Sequence, residues 1–143
     1  MAMYDNLLAN VPTDLWIGGK WRKASDQGLA KMDFAAVRAA VGRFLAAAQR
    51  DYQLQTGGTG DLTKLNSALR QTEADLVSEA GLPNRPWYRH TIYAPGEYTG
   101  YAAVVIPGVN EAIESKDAAR AAQQLTVLTQ ALDRATHTLE AVR

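Results

Sequence analysis

A short segment rich in tyrosine holds the residues of this chain best suited to binding or proton-transfer chemistry. Tyr88, Arg89 and His90 follow one another, and Tyr98 and Tyr101 come shortly after them. Together they offer phenol hydroxyls, a guanidinium and an imidazole. Such groups bind ligands when a rigid scaffold presents them on a loop. They also serve as structural anchors bonded to backbone carbonyls, and the sequence leaves both interpretations open.

Patterns for other catalytic chemistry do not occur. The chain has no cysteine, which excludes disulfides, thiolate metal sites and cysteine nucleophiles. His90 and His137 are far apart and belong to no HExxH or HxH pattern. No serine lies in a GxSxG context, and residues 56–60 lack the GxxxxGK[ST] frame of a phosphate loop. We therefore predict no catalytic residue, no metal and no cofactor.

Length and charge restrict the partners. The chain has 143 residues, about the size of one domain. Its fifteen Lys and Arg balance fifteen Asp and Glu and are spread evenly, so no basic face for nucleic acid is expected. No apolar run approaches the roughly 20 residues of a membrane span. The first residues lack the pattern of a signal peptide, and we expect a cytoplasmic protein without a membrane partner.

The elements that would position the tyrosine-rich segment are helices. Apolar residues spaced by three and four predict a first helix that Asp33 caps and residues 55–60 end. A second amphipathic helix has Leu62, Leu65, Leu69, Thr72 and Leu76 on one side, and Gly81 is expected at its end. Glu73 is placed on the solvated side of this helix. The spacing thus favours two amphipathic helices before the loop.

Two more helices are predicted after the loop. Pro107 suits the first turn of a short helix over 107–115, with Glu111 on its solvated side. The longest helix begins at Ser115 or Asp117, and its apolar residues recur with a spacing close to 3.5. We therefore predict a mainly α fold, a helical bundle of three long helices plus a short one.

Residues 82–106 have no helical period and are predicted to form an irregular aromatic loop. Its aromatic residues are Trp87, Tyr88, Tyr93, Tyr98 and Tyr101. Residues 102–106 form an apolar run, expected to be a strand or a buried extended segment. The apolar residues Val104, Val105 and Ile106 are candidates for a subunit interface.

The N-terminal segment, residues 1–28, differs from the rest. Trp16 and Trp21 flank a Gly-Gly pair, which predicts a β-hairpin, with a disordered or extended segment as the alternative. A second turn is expected at residues 26–28. We predict an N-terminal extension at 1–28 and a helical domain at 29–143, with Trp16 and Trp21 as further interface candidates.

The loop also resembles a known family. Residues 81–96 read GLPNRPWYRHTIYAPG, and residues 98–101 (YTGY) and 106–109 (IPGV) follow. This stretch resembles the dimerisation domain of the transferrin-receptor and glutamate-carboxypeptidase family, and the resemblance covers about residues 29–143. It implies a helical bundle that pairs two subunits, here as a homodimer.

In the peptidases of that family, the loop also reaches a substrate pocket beside a di-zinc catalytic domain. The resemblance thus places Trp87, Tyr88, Arg89, His90 and Tyr93 in a structural or substrate-site loop. It implies that Tyr101 matches a tyrosine that holds the substrate's terminal carboxylate. The metal ligands of the family belong to a catalytic domain that has no counterpart in this sequence.

A second resemblance concerns residues 11–27, which are similar to the N-terminal ribbon of aldehyde dehydrogenases. No cofactor-binding or catalytic segment follows, so it implies no dehydrogenase activity. The join of the two pieces indicates a fused, truncated or engineered chain.

Three functions are open, and we favour the first: a non-catalytic dimerisation module that is not an enzyme. The second is a part that completes the substrate site of a peptidase catalytic domain on another chain. The third is an engineered or rearranged helical protein without native activity.

Overall fold

The computed structural model describes the backbone of residues 15–17 and 20–22 and the structure of residues 32–58 and 60–142. The chain divides into two compact units, Met1–Ala30 and Lys31–Arg143. In the first unit, β1 (Leu15–Ile17) pairs antiparallel with β2 (Lys20–Arg22), and Trp16 lies opposite Trp21. This pairing is that of the predicted hairpin, whereas the turn expected at residues 26–28 lies outside the described residues.

The second unit is mainly helical over its described residues, as predicted. Its helices are α1 (Ala35–Gly57), α2 (Leu62–Asp75), α3 (Pro107–Glu114) and α4 (Ala118–Glu140). Between α2 and α3, β3 (Tyr93–Pro95) pairs antiparallel with β4 (Ala103–Val105). Of the helices described, none has both the length and the hydropathy needed to cross a membrane.

Aspartate side chains fix the first turns of three helices. Asp33 accepts a hydrogen bond from the backbone N–H of Ala35, at 2.8 Å, as predicted for the start of α1. Asp61 accepts from two backbone N–H groups of α2, and Asp117 accepts from that of Arg120 in α4. Each bond satisfies a donor that has no partner within its helix.

The end of α2 differs from the sequence prediction. The helix ends at Asp75, six residues before Gly81. Arg134 of α4 donates from Nη2 to the carbonyls of Asp75, at 2.9 Å, and Val77, at 3.2 Å. The backbone of Ser78 then bonds to that of Arg89 instead of continuing the helix. Because these partners lie far along the chain, α2 ends earlier than its own residues indicate.

Helix α4 lies at the centre of the helical unit, in contact with α1, α2 and α3. Its fully buried alanines, Ala121, Ala131 and Ala135, allow the other helices to approach closely. The core cluster joins Ala40 of α1 to Leu128 and Leu132 of α4. Five half-buried residues pack against this cluster: Val37, Phe44, Leu76, Ile92 and Ile106. The core therefore ties the loop between α2 and α3 to the α1–α4 pair.

One carboxyl group lies on the buried face of α1. Asp51 is only 3% exposed, and its Oδ2 atom has no hydrogen-bond partner among the described residues. Burial raises the pKa of this carboxyl above its ordinary value, and the charge of Arg50 opposes part of that rise. The folded state therefore holds the proton more tightly than the unfolded chain does, and ionisation of Asp51 costs stability.

We expect Asp51→Ala to increase the free energy of unfolding by about 1 kcal/mol at pH 7, because it removes a buried polar group without a partner. In the wild type, the loss of stability from ionising Asp51 is absent below the ordinary aspartate pKa. It develops as pH rises through the raised pKa of Asp51. The advantage of the variant should accordingly shrink toward pH 4. Urea unfolding at pH 7 and pH 4 measures this difference in stability. Gln49→Ala, at an exposed position of α1, is the control. An equal advantage at both pH values would contradict this account of Asp51.

Candidate functional site

The tyrosine-rich segment is a loop pinned to the helical unit at both ends. Near its start, the backbone N–H of Thr91 donates to the carbonyl of Leu76. At its end, that of Ile106 donates to the carbonyl of Ile92, at 2.7 Å. The predicted apolar run forms β4, which is exposed at both ends rather than buried. The loop therefore rests on its own short hairpin and on the core.

Ile106 joins β4 to α3 in an unusual conformation. Its φ of 49° and ψ of 55° lie in the left-handed region, where a β-branched residue is a genuine outlier. Its carbonyl accepts from the N–H groups of Val109 and Asn110 in the first turn of α3. Its side chain packs against the core cluster. Of the three interface candidates in this run, Val105 is the exposed one.

The turn after α2 requires a glycine. Gly81 has a φ of +73°, and a Cβ atom placed there would lie 2.2 Å from the carbonyl oxygen of Pro86. It would also lie 2.5 Å from the Pro86 Cα atom, so the obstacle is backbone. The neighbouring Leu82 donates its N–H to the carbonyl of Tyr88. These contacts fold residues 81–88 into a compact turn that holds Arg85 inward.

A buried ion pair lies beneath the aromatic loop. Arg85 Nη2 donates to Glu111 Oε1 at 2.7 Å, and both residues are less than 10% exposed. The same oxygen accepts the backbone N–H of Glu97, at 2.9 Å. The Arg85 guanidinium also lies 6.0 Å from the centre of the Tyr88 ring. This pair joins the turn, the following loop segment and α3.

One carboxylate expected on a solvated helix face is buried, and a second has a partner that was not expected. Glu111 was expected on a solvated helix face, but it is buried because Arg85 reaches it across the loop. Glu73 is exposed as expected, yet its carboxylate bonds with the loop residue His90. Arg85, which lies between Pro83 and Pro86, is the feature of the sequence that could have suggested a buried partner.

His90 is held by hydrogen bonds on both ring nitrogens. Its Nδ1 accepts from the backbone N–H groups of Ile92, at 3.1 Å, and Tyr93, at 3.4 Å. Its Nε2 lies 3.1 Å from Oε1 of Glu73. Because the nitrogen that accepts carries no hydrogen, Nε2 is the donor to the carboxylate. The Tyr93 ring lies 4.2 Å from the imidazole, and its hydroxyl also donates to Glu73.

We expect neutral His90 to occur as the Nε2–H tautomer, because Nδ1 is occupied as an acceptor. Long-range proton–nitrogen correlation spectra distinguish the two tautomers. His137 on α4 is the internal control, since its ring has no such pair of backbone donors within residues 32–58 and 60–142. A predominant Nδ1–H form of His90 would contradict the structural role and favour a reactive imidazole.

Arg89 also makes contacts with the scaffold. Its Nε donates to the carbonyl of Ser78 at 3.0 Å, while its own carbonyl accepts the N–H of Ser78. Among the described residues, no hydrogen bond joins Tyr101 to Arg89 or His90. The structure therefore brings His90 together with Glu73 and Tyr93, but it does not gather all the predicted site residues around one point.

The outer side of the loop is aromatic and open to solvent. Tyr101 is fully exposed, Tyr98 is 88% exposed and Trp87 is 71% exposed. Tyr88 and Tyr93 are partly exposed at the base of the same loop. Aromatic side chains of this kind are enriched at the centres of protein interfaces. The loop thus offers a contact surface, and its polar groups are largely engaged in holding its shape.

A polar groove of about 620 Å³ lies between the end of α2 and α4. Asp75, Arg134 and Asp133 of this groove each have a hydrogen-bond or ion-pair partner. Thr138 donates to Asp75, Arg134 caps α2, and Asp133 pairs with Arg43 at 2.6 Å. Within the part of the chain that the structure describes, no cluster of three His, Asp or Glu residues could hold a metal ion.

The sequence comparisons agree with this architecture. Residues 31–140 match the model of the transferrin receptor-like dimerisation domain. The match spans α1 to α4 and the aromatic loop. The chain belongs to this family. The transferrin receptor-like dimerisation domain begins after the N-terminal unit, so the resemblance of residues 11–27 to aldehyde dehydrogenases has no support from the match.

Curated relatives of this dimerisation domain include peptidases. A probable glutamate carboxypeptidase of Arthroderma benhamiae is 43% identical over 61 residues, which are 43% of this chain and 8% of the relative. One of Arabidopsis thaliana is 40% identical over 58 residues, 41% of the chain and 8% of the relative. An inactive zinc metalloprotease of Schizosaccharomyces pombe is 32% identical over 75 residues, 52% of the chain and 9% of the relative. The chain therefore spans less than a tenth of the length of these relatives.

Proposed function

We propose that this chain acts as a non-catalytic dimerisation module that forms a homodimer. The observation that carries the proposal is the match of residues 31–140 to a dimerisation-domain family. A helical unit that leaves many large apolar side chains exposed supports it. Where such side chains form a contiguous patch, they mark a surface for association with another protein.

Two surfaces predicted from the sequence stay part of this proposal. One is the exposed loop side with Val105, beside the less exposed Val104 and Ile106. The other is the pair Trp16 and Trp21, which are opposite each other in the backbone register of β1 and β2. An isologous dimer would bury the same patch of each copy against its counterpart.

Light scattering during size-exclusion chromatography over a micromolar concentration series tests the proposal. We expect a mass near twice the 15.5 kDa of the chain. A mass equal to one chain throughout the series would contradict homodimer formation.

The second candidate function is completion of a peptidase substrate site on another chain. It is favoured by the full exposure of Tyr101, whose hydroxyl is free to bind a carboxylate. It requires a separate catalytic domain and draws support from relatives named as carboxypeptidases. Titration with glutamate-terminated peptides, with and without such a domain, tests it, and Tyr101→Phe is the matched variant. Absence of saturable binding in both titrations would contradict it.

We further propose that residues 1–28 are an extension separate from the helical domain at 29–143, joined to it by fusion or rearrangement, in a cytoplasmic protein. The beginning of the family match at residue 31 supports this division. A contiguous natural gene for both segments would contradict an engineered join.

A further inference from the structure

Helix α1 carries an apolar stripe outside its contact with α4. We define the α1 stripe as Phe34, Val41, Leu45 and Tyr52, which are between 37% and 66% exposed. Successive residues of an α-helix turn by about 100°, so these four side chains lie within a band roughly 40° wide. The stripe extends over about 27 Å of the helix. It is a continuous apolar edge with no partner among the described helices.

The spacing within the α1 stripe is symmetric. The intervals are seven, four and seven residues, so the stripe has the same spacing in both directions along the helix. If a second copy is placed antiparallel, Phe34 faces the partner's Tyr52 and Val41 faces the partner's Leu45. All four apolar positions are then matched by one two-fold axis near the middle of α1.

We propose that the α1 stripe pairs antiparallel with the α1 stripe of a second copy. This inference rests on the proposed function of self-association and names the surface that performs it. The occupant is therefore another copy of this chain, not a different protein.

The charges on α1 favour this orientation. Arg43 and Arg50 are turned to α4, where they pair with Asp133 and Glu140. Arg38 is then the charged residue beside the stripe. In antiparallel pairing it lies about 15 Å along the axis from the partner's Arg38, beyond the Debye length of about 8 Å at physiological ionic strength. Parallel pairing would set the two arginines side by side, where they repel each other.

The size of the surface suits a homodimer. The four side chains expose on the order of 400 Å² of apolar surface, as much as a typical monomer leaves in its largest patch. With the flanking parts of the helix, pairing buries on the order of 600 Å² per copy. The total of about 1,200 Å² is at the lower limit of a specific, stable interface.

The first experiment compares two glutamate variants in the full chain. Leu45→Glu places a charge inside the proposed interface, and Leu62→Glu places one on α2, at a site of similar exposure. We expect Leu45→Glu to weaken dimerisation at least about 100-fold, because it buries a charge without a partner. Leu62→Glu should leave it unchanged. Circular dichroism confirms that both variants are folded, and analytical ultracentrifugation gives the dissociation constants.

The possible results separate the two proposals. A monomeric wild type would contradict self-association and, with it, the α1 pairing. A dimeric wild type that tolerates Leu45→Glu would overturn the α1 pairing alone. Loss of the dimer in a third variant, Val105→Glu, but not in Leu45→Glu would assign the interface to the aromatic loop.

The second experiment tests the register. The chain has no cysteine, so single cysteines can be introduced without interference. An oxidised mixture of Val41→Cys and Leu45→Cys protomers should form disulfide-linked heterodimers, because these positions face each other. A mixture of Val41→Cys and Tyr52→Cys should not, since about 10 Å along the axis separates them. Efficient linking of Leu45→Cys to itself, with none to Val41→Cys, would indicate parallel pairing and overturn the proposal.

Discussion

Gly81→Ala is expected to lower the free energy of unfolding by about 3 kcal/mol or more. The new Cβ atom would lie 2.2 Å from the carbonyl oxygen of Pro86, and the backbone at Gly81 has a φ of +73°. A left-handed conformation and a clash with main-chain atoms each cost of order 1–3 kcal/mol, and rotation of a side chain relieves neither. The turn that carries Arg85 would therefore have to shift.

Urea unfolding monitored by circular dichroism measures this loss. Gly42→Ala is the matched control, because Gly42 lies in α1 and a Cβ atom there meets no neighbour within 4 Å. The control should gain about 0.5–1 kcal/mol from the higher helix propensity of alanine. If Gly81→Ala were as stable as the wild type, the close approach of residues 81 and 86 would be wrong.

Glu111→Ala is expected to cost about 3–5 kcal/mol, because it leaves the Arg85 guanidinium buried without a counter-charge. Two buried nitrogens of Arg85, Nε and Nη1, have no hydrogen-bond partner among the described residues, so removal of the carboxylate leaves the guanidinium without a partner there. The Glu97 N–H would also lose its acceptor. We expect the aromatic loop to loosen before the helices unfold.

Thermal unfolding measures the loss of stability, and amide hydrogen exchange measures the loosening of the aromatic loop. The double variant Arg85→Met/Glu111→Leu removes both charges and should recover most of the stability, since burying neither charge is often as favourable as burying a pair. Glu114→Ala, at an exposed position of the same helix, is the control and should change stability by less than about 0.5 kcal/mol. A double variant no better than Glu111→Ala would show that the pair contributes packing rather than charge compensation.

Local periodicity was sufficient to predict the helical character of the fold. The starts of α1 and α4 could be found because Asp33, one residue before the N-cap of α1, and Asp117, the N-cap of α4, bond to backbone N–H groups within three residues. The end of α2 could not be found in this way, because the Arg134 side chain that donates to the carbonyl of its last residue comes 59 residues later. Gly81 is in the left-handed conformation that ends many helices, but here it serves the turn against Pro86.

The candidate site was predicted only in outline. The aromatic loop was expected, and Trp87, Tyr98 and Tyr101 are exposed on it. The partners of its charged residues depend on tertiary contacts: Arg85 bonds to Glu111 across 26 residues, and His90 bonds to Glu73 across 17. When each helix is considered alone, both carboxylates are predicted to face solvent, because the residues that bond with them lie outside that helix.

The central place of α4 determines when the helical unit can fold during synthesis. Helices α1, α2 and α3 all pack on α4, which follows them in the chain, and the Arg43–Asp133 pair joins residues 90 positions apart. At about 5–20 residues per second, translation from the end of α3 to the end of α4 takes about 1–5 s. The faces of the first three helices that pack on α4 stay uncovered through that interval, so the helical unit reaches its packed form only after α4 has been translated.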